Sequence, residues 1–539
     1  MKNKSVFKYI KENLEIIVVF LLSSFLRLVN LGYSDYQGDE IKAFYLPKSG
    51  QSLSSFLIDQ KKGPVQFLIT YVIKLFDPLY ENQFFTRLPF AIAGIFAVVF
   101  FYKFVKIHFG NKIAFYSSLF FATNGFFIAF SRIVQYQSFV ILFAILCLYF
   151  LSLANEDKKY RLSGIYLGLL CWAISILSHY DGVFIFPFVF YLLFKWFRNP
   201  QIEKKDKILT FVSAGIISAG LLATFYFSFF RNIGESTTDY WSNRISGATS
   251  GKISSSKYLF QIYQPIYALQ IYFILAALGG FFIVLGFFSD LILKIKKLPS
   301  FVTYFFSYTT DIMRSISKDK LRIICLFLWI FINVIFLEKY VYISGTHIYN
   351  YIIPSFILFC FGIVAIESFI FKIFEIQLVK IFNFLGIFLV FLFLTAQSYA
   401  IFIDNEQEYP WENKNFLIWT LRKPDEDYHL SLFGFPYYRD WEGIRNFAKL
   451  HPELQAYSTN EKKGISSYYL KFDRNYEKSG IYVYVKSPQS FIEVIENEKA
   501  AYWVEKYDPA YTLTRNGSDR VRVYMMEPGT LEEIIKKGF

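Results

Sequence analysis

The chain has 539 residues, 54% of them hydrophobic and only 18% charged, with a mean hydropathy of +0.34. A soluble chain of this size carries roughly 25% charged residues, so a water-soluble domain is excluded as an account of the whole. The net charge of +13 would suit nucleic acid, but Lys and Arg cluster in short connectors between apolar runs. Membrane orientation places them there, so no nucleic-acid partner is expected.

The apolar residues form continuous runs of about 17–25 residues, enough to cross ~30 Å of hydrocarbon as helices. Continuous runs, rather than alternating ones, favour helices over a closed barrel. In chain order the spacing predicts spans near 14–32, 87–105, 113–130, 138–154, 162–178, 182–197, 208–229, 264–288, 321–337, 349–369 and 378–402, about eleven in all. No small-residue cleavage site follows the first run, so no signal peptide is expected. Cys147, Cys171, Cys325 and Cys360 lie within apolar runs, without metal-ligand spacing, and read as buried spectators.

Lys2, Lys4, Lys8 and Lys11 precede the first span and predict a cytoplasmic N-terminus. Alternate connectors agree: Lys106 with Lys112, Lys158 with Lys159 and Arg161, and Lys204 with Lys205 and Lys207 all fall inside. An odd number of spans then leaves the C-terminal region outside. The localisation expected is the plasma (inner) membrane, multi-pass. Val65–Phe76 is apolar but short for a span, and counting it would place the basic connectors outside. It reads as a helix lying in the outer interface.

Two domains follow: a transmembrane domain over 1–403, with outer loops 31–86 and 231–263, and an extracytoplasmic α/β domain over 404–539. In the latter, His429–Phe435 and Gly480–Lys486 alternate like strands. Ser487–Pro488 opens a helix through Phe491–Asn497, and Thr530 with Glu533 has capping-box spacing for a last helix.

Chemistry-bearing residues collect on the outer side. Asp39–Glu40 lies in the first outer loop, where burying an acidic pair is costly. A solvated loop pair is the plain alternative. Lys62 precedes the interfacial segment. Arg132, Gln135, Tyr136 and Gln137 end the third span, His179–Tyr180–Asp181 fills a tight outer turn, Arg231 follows the seventh span, and His347, Tyr349 and Tyr351 enter the tenth. Each alone has an ordinary reading as a belt aromatic, a snorkelling cation or a helix-end histidine. Their convergence on one side is the functional signal. Tyr437–Tyr438–Arg439 and Tyr468–Tyr469 offer stacking surfaces or ordinary packing.

The order of Gly38–Asp39–Glu40, Lys62–Gly63–Pro64, Arg87–Leu88–Pro89, Phe109–Gly110, Ser131–Arg132 and Tyr351–Ile352–Ile353–Pro354 relative to the spans resembles the bacterial branch of the protein O-mannosyltransferase-like enzymes. That branch includes the lipid A aminoarabinose transferases. The resemblance runs over most of 14–400 and is loose beyond. It implies a polytopic α-helical membrane protein of the GT-C type with a C-terminal extracytoplasmic α/β domain. It also implies hexosyl or pentosyl transfer from a polyprenyl-phosphate-linked sugar, with inversion, to a protein, lipid or polysaccharide hydroxyl.

On this resemblance Asp39 is the general base, with Glu40 positioning the acceptor or holding the loop. Lys62, Arg132, Arg231 and His347 are the clamp for the leaving phosphate, and Tyr351 donates a hydrogen bond to it. Gln135, Gln137, His179, Tyr180, Asp181 and Tyr349 are the substrate-binding set. Relatives often carry an acidic residue just after the Arg132 position, where Gln135 and Gln137 stand here. They often carry Pro-Pro where this chain has Gly63–Pro64. No cofactor is required. Glu40 with His179 or His347 offers ligand types for a divalent metal, though the spacing does not demand one. A transporter or flippase of lipid-linked sugars is the alternative, but no internal repeat with mid-membrane polar breaks is evident. An outer-domain scaffold for partners is a third reading.

Overall fold

The computed structural model describes residues 2–60, 62–246, 254–263, 270–287, 319–373, 377–406, 408–409, 411, 414–416, 419–421, 433–486, 488 and 507–537. Long helices dominate the first 402 residues. In order come α1 (Lys2–Leu28), the short α2 (Gly38–Ile41) and α3 (Leu53–Ile58), α4 (Val65–Phe76), α5 (Gln83–Phe109), α6 (Asn111–Thr123), α7 (Gly125–Ser131), α8 (Gln137–Glu156), α9 (Ser163–Ser178), α10 (Phe186–Phe197), α11 (Lys204–Arg231) and α12 (Glu235–Ser246). Helices Gln270–Phe287, Lys320–Lys339, Tyr349–Ile373 and Gln377–Phe402 follow.

Each expected span overlaps one of these helices or, for 113–130, the α6–α7 pair. By length and composition, seven described segments can cross a membrane, eight if α6 and α7 are one span. These two meet at a 63° bend. Asn124 makes the break: its side chain accepts a hydrogen bond from Phe126 N–H and caps α7. The bundle also inverts the soluble pattern, with Ile216, Ile217 and Phe227 of α11 and Phe384 and Phe388 of the last long helix all exposed. Apolar faces this continuous need hydrocarbon as their solvent.

α4 forms over the expected residues. Its inner face is polar as well as apolar: Thr70 donates to Ala43 C=O and Lys74 to Tyr45 C=O, while Leu68, Val72, Leu75 and Phe76 stay exposed. It is therefore fastened to the loop between α1 and α4 and turns its apolar face away from it.

The C-terminal domain is built on a five-stranded mixed sheet. β1 (Lys414–Phe416) and β2 (Trp419–Leu421) form a separate hairpin. The main sheet has the order β4-β3-β5-β7-β6, from β3 (Ala456–Thr459), β4 (Asp473–Arg474), β5 (Ser479–Val485), β6 (Tyr511–Arg515) and β7 (Ser518–Met525). Helices Trp441–Lys449 and Lys463–Leu470 pack with it. β5 and the helix Thr530–Lys537 match expectation. Phe433–Phe435 does not: it is an irregular loop rather than strand, with Phe433 stacked on Phe130 and Phe435 on Tyr409 instead of alternating across a sheet. Residues 429–432 and the helix expected through Phe491–Asn497 lie outside the described residues. The β6–β7 turn is Asn516–Gly517, with φ of 51° and 73°, the left-handed pair that a tight hairpin requires.

Several contacts seat this domain on the bundle. Arg515 donates to the Tyr33 hydroxyl at 2.6 Å, Phe433 stacks on Phe130 with centroids 5.1 Å apart, and the Arg439 N–H donates to Asp35 at 2.6 Å. Arg439 itself is buried in an ion pair with Glu408 at 2.7 Å. Tyr437 and Arg439 thus serve the joint between domains. Tyr468 and Tyr469 do the same, bonding Leu79 C=O and Tyr36 N–H. None of these four lines the main cavity.

Candidate active site

A cavity of about 1020 Å³ lies between the loop joining α1 to α4, the ends of several long helices and the C-terminal domain. Its wall carries Asp39, Lys62, Gln135, Tyr136, Gln137, His179, Tyr180 and His347, eight of the residues singled out from the sequence. Lys42, Arg244 and Lys462 add cations that sequence reasoning did not select, and Phe44, Phe67, Phe130 and Phe433 add apolar surface. A cavity that is positive on one part and apolar on another suits an anionic headgroup carrying a lipid.

Lys62 is placed by its neighbour. Gly63 runs so close to the C-terminal end of α9 that a Cβ there would stand 1.9 Å from Leu177 C=O. Any larger residue would push the segment off α9 and move Lys62 with it. The Lys62 ammonium lies over the Tyr136 ring, 4.8 Å from its centroid. Burial draws its pKa down to about 8, against the pull of Asp39.

Asp39 sits in the first turn of α2. It pairs with Lys42 at 3.1 Å and keeps its carboxylate accessible from the cavity. Burial acts to raise its pKa, but Lys42 and Lys62 outweigh that effect and hold it below the usual carboxylate range. Asp39 is therefore ionised at neutral pH and able to accept a proton or hydrogen bond.

Glu40 is turned the other way. It is fully buried and grips Arg87 with both oxygens, each at 2.8 Å, while accepting from Gln37 N–H and Val134 N–H. Arg87 also donates to Leu31, Ser34 and Asp35 carbonyls. The structure thus gives Glu40 the loop-holding half of its expected role, with no opening to the cavity.

Arg132, Arg231 and Tyr351 also fall outside the cavity wall, as do Asp181 and Tyr349. Arg132 donates to the carbonyls of Leu26, Arg27, Val29 and Asn30, closing the C-terminal end of α1, so its guanidinium is already occupied. Arg231 is exposed on a shallow groove formed by α11 alone. Tyr351 is buried within the bundle. Arg244 and Lys462, by contrast, do line the cavity.

Behind the wall lies a buried polar cluster. His347 Nδ1 and Asp181 Oδ2 share a hydrogen bond at 2.6 Å, and the Tyr349 hydroxyl donates to the same oxygen at 2.7 Å. His179 stacks on Tyr136, with centroids 4.1 Å apart and planes 11° from parallel. Glu40 is no partner of either histidine; Asp181 takes that place.

Comparison with known proteins adds a family. Residues 62–222 match the model described as dolichyl-phosphate-mannose-protein mannosyltransferase, in agreement with the resemblance read from the sequence. Among solved structures, ArnT from Cupriavidus metallidurans bound to undecaprenyl phosphate is similar over 95% of this chain and 98% of its own, at 11% identity and a TM-score of 0.47. The oligosaccharyltransferase of Archaeoglobus fulgidus is similar over 88% of this chain and 65% of its own, at 10% identity and a TM-score of 0.44. The protein O-mannosyltransferase Pmt1–Pmt2 complex of S. cerevisiae, bound to the sugar donor, is similar over 42% of this chain and 34% of its own, at 14% identity and a TM-score of 0.30. The chain therefore spans about a third of that yeast chain's length. No curated protein matches in sequence.

Proposed function

We propose that this chain is a membrane glycosyltransferase that moves a sugar from a polyprenyl-phosphate donor to an acceptor hydroxyl at the outer face of the plasma membrane, with inversion. The observation that carries the reading is that an ionised Asp39 and Lys62 lie on the wall of one cavity, among further cations and apolar surface. The family model matched by residues 62–222 supplies the donor class.

The donor's lipid follows the apolar wall and its phosphate meets Lys62 and Arg244. The acceptor oxygen attacks the anomeric carbon as the bond from that carbon to the phosphate oxygen breaks. Asp39 takes the hydroxyl proton. The electron pair leaves on the phosphate, whose developing charge faces fixed cations, so no second carboxylic acid is needed to protonate a leaving alkoxide. Lys62 is the residue best placed for this charge, because burial strengthens its field. The acceptor enters against the face that the C-terminal domain closes.

Asp39→Asn in the full chain, reconstituted with a polyprenyl-phosphate sugar, tests the assignment. Donor binding should persist while transfer drops by about 10²–10⁴-fold. Unchanged transfer removes Asp39 from the base role. Cysteines at Ser49 and Lys158 test orientation: the first should label from outside and the second from inside, and the reverse pattern overturns the outer-face placement.

A further inference from the structure

The sugar-transfer reading uses His179 and His347 only as wall residues and gives Asp181 no task. These three are the group of His, Cys, Asp and Glu among the described residues whose donor atoms converge closely enough to hold an ion, all within 4.8 Å of one another. They come from two separate turns: His179 and Asp181 from the turn after α9, and His347 from the 3-10 turn Gly345–Ile348. Asp181 is 1% exposed and His179 is 3% exposed.

The hydrogen bonds leave a specific gap. Asp181 Oδ2 is served twice, by His347 and Tyr349. Asp181 Oδ1 is buried and has no hydrogen-bond partner. His179 Nδ1 stands 3.1 Å from that oxygen, but it accepts the Asp181 N–H at 3.3 Å, which places its lone pair rather than a proton on that side. Two acceptors therefore face one another in a dry place. An unmatched buried carboxylate oxygen is expensive, and a cation between the acceptors removes the cost.

We propose that His179, Asp181 and His347 form a binding site for a divalent transition metal of the zinc class. Two imidazoles and one carboxylate match that ion's preferred donors, and three protein ligands leave a fourth position open. Donor atoms round a tetrahedral ion stand about 3.3 Å apart, so the cluster contracts by at most about 1.5 Å at its widest pair. Tyr349 holds the carboxylate in place from behind, the outer support that such sites commonly have. His179 and His347 both line the cavity, so the open position faces it and would take a phosphate oxygen or water. The site stands or falls separately from the role of Asp39.

The test uses the purified full chain in detergent, stripped with a chelator and desalted. Added zinc should be retained at one ion per chain by mass spectrometry. Added Co²⁺ should give the intense visible bands of a four-coordinate site, and these should shift on addition of inorganic phosphate. His179→Ala and His347→Ala should each weaken zinc binding by more than about 100-fold, while Glu40→Gln should leave it unchanged. The wild-type cobalt spectrum keeps the test decisive if a variant fails to fold. Wild-type protein that retains no zinc and gives no such bands overturns the proposal, as does zinc binding that survives loss of both histidines.

Discussion

Glu40 and Arg87 meet in a two-pronged ion pair, Nε to Oε1 and Nη2 to Oε2, both at 2.8 Å and both sealed from solvent. The pair lies directly beside Asp39 in sequence, so the carboxylate offered to the cavity is held by one that never sees it. Arg87→Met leaves Glu40 buried and charged without its partner, which costs about 3–5 kcal/mol. Thermal unfolding in detergent should shift down clearly, and an unchanged midpoint would contradict the pairing. Glu40→Gln is the milder change, since it still accepts from Val134 N–H.

On the proposed function, the Lys62 ammonium sets an alkaline limit on donor use. With its pKa drawn down to about 8, it is charged below that pH and loses its charge above it. The value of kcat/KM for donor should therefore fall as pH rises through about 8. Lys62→Arg should move that limb to higher pH, and Lys62→Ala should raise the donor KM by about 10–100-fold. Because Asp39 supports the Lys62 charge, Asp39→Asn should move residual activity's alkaline limb to lower pH.

Arg132 gives the contrasting result. Its guanidinium is spent on four carbonyls at the end of α1. Arg132→Ala should cost about 2–3 kcal/mol of stability, the scale of lost charge-assisted hydrogen bonds. Donor affinity of the folded fraction, measured by titration with labelled lipid, should be unchanged. A selective loss of donor affinity would return Arg132 to the phosphate clamp.

Asp35 makes the seat of the C-terminal domain sensitive to pH. Burial pushes its carboxyl up to about 7, even though the Arg439 N–H bonds to it. Between about pH 4 and 7 the folded chain keeps a proton that the unfolded chain releases, so this group's contribution to stability falls as pH rises across that window. Unfolding midpoints should drop from pH 5 to pH 8, and Asp35→Asn should flatten the slope. A steeper slope in that variant would refute the assignment.

The helices were legible because hydropathy is local: each 20-residue run announces itself without reference to the rest. Asp39, Lys62, Gln135, His179 and His347 were legible as a group because charge asymmetry put them on one side. The partners were not. Asp181 and His347 are 166 residues apart, and Glu40 and Arg87 are 47 apart, so no periodicity links them. Arg132 was chosen on position alone; a cation at the end of α7 reads the same whether it faces a ligand or a helix end. Arg244 lay in an outer loop without an apolar pattern, and Lys462 in a domain that the resemblance barely reached.

The cavity wall joins Asp39 to Lys462, residues from opposite ends of the chain. Contacts this distant form last in folding, after the intervening chain has closed. A nascent chain still on the ribosome can thus have every membrane helix in place and yet lack a complete site. Completion waits for the final domain to be made and to seat itself through Arg515 on Tyr33 and Arg439 on Asp35. Truncated products, which would share the membrane with the full-length protein, have no finished cavity.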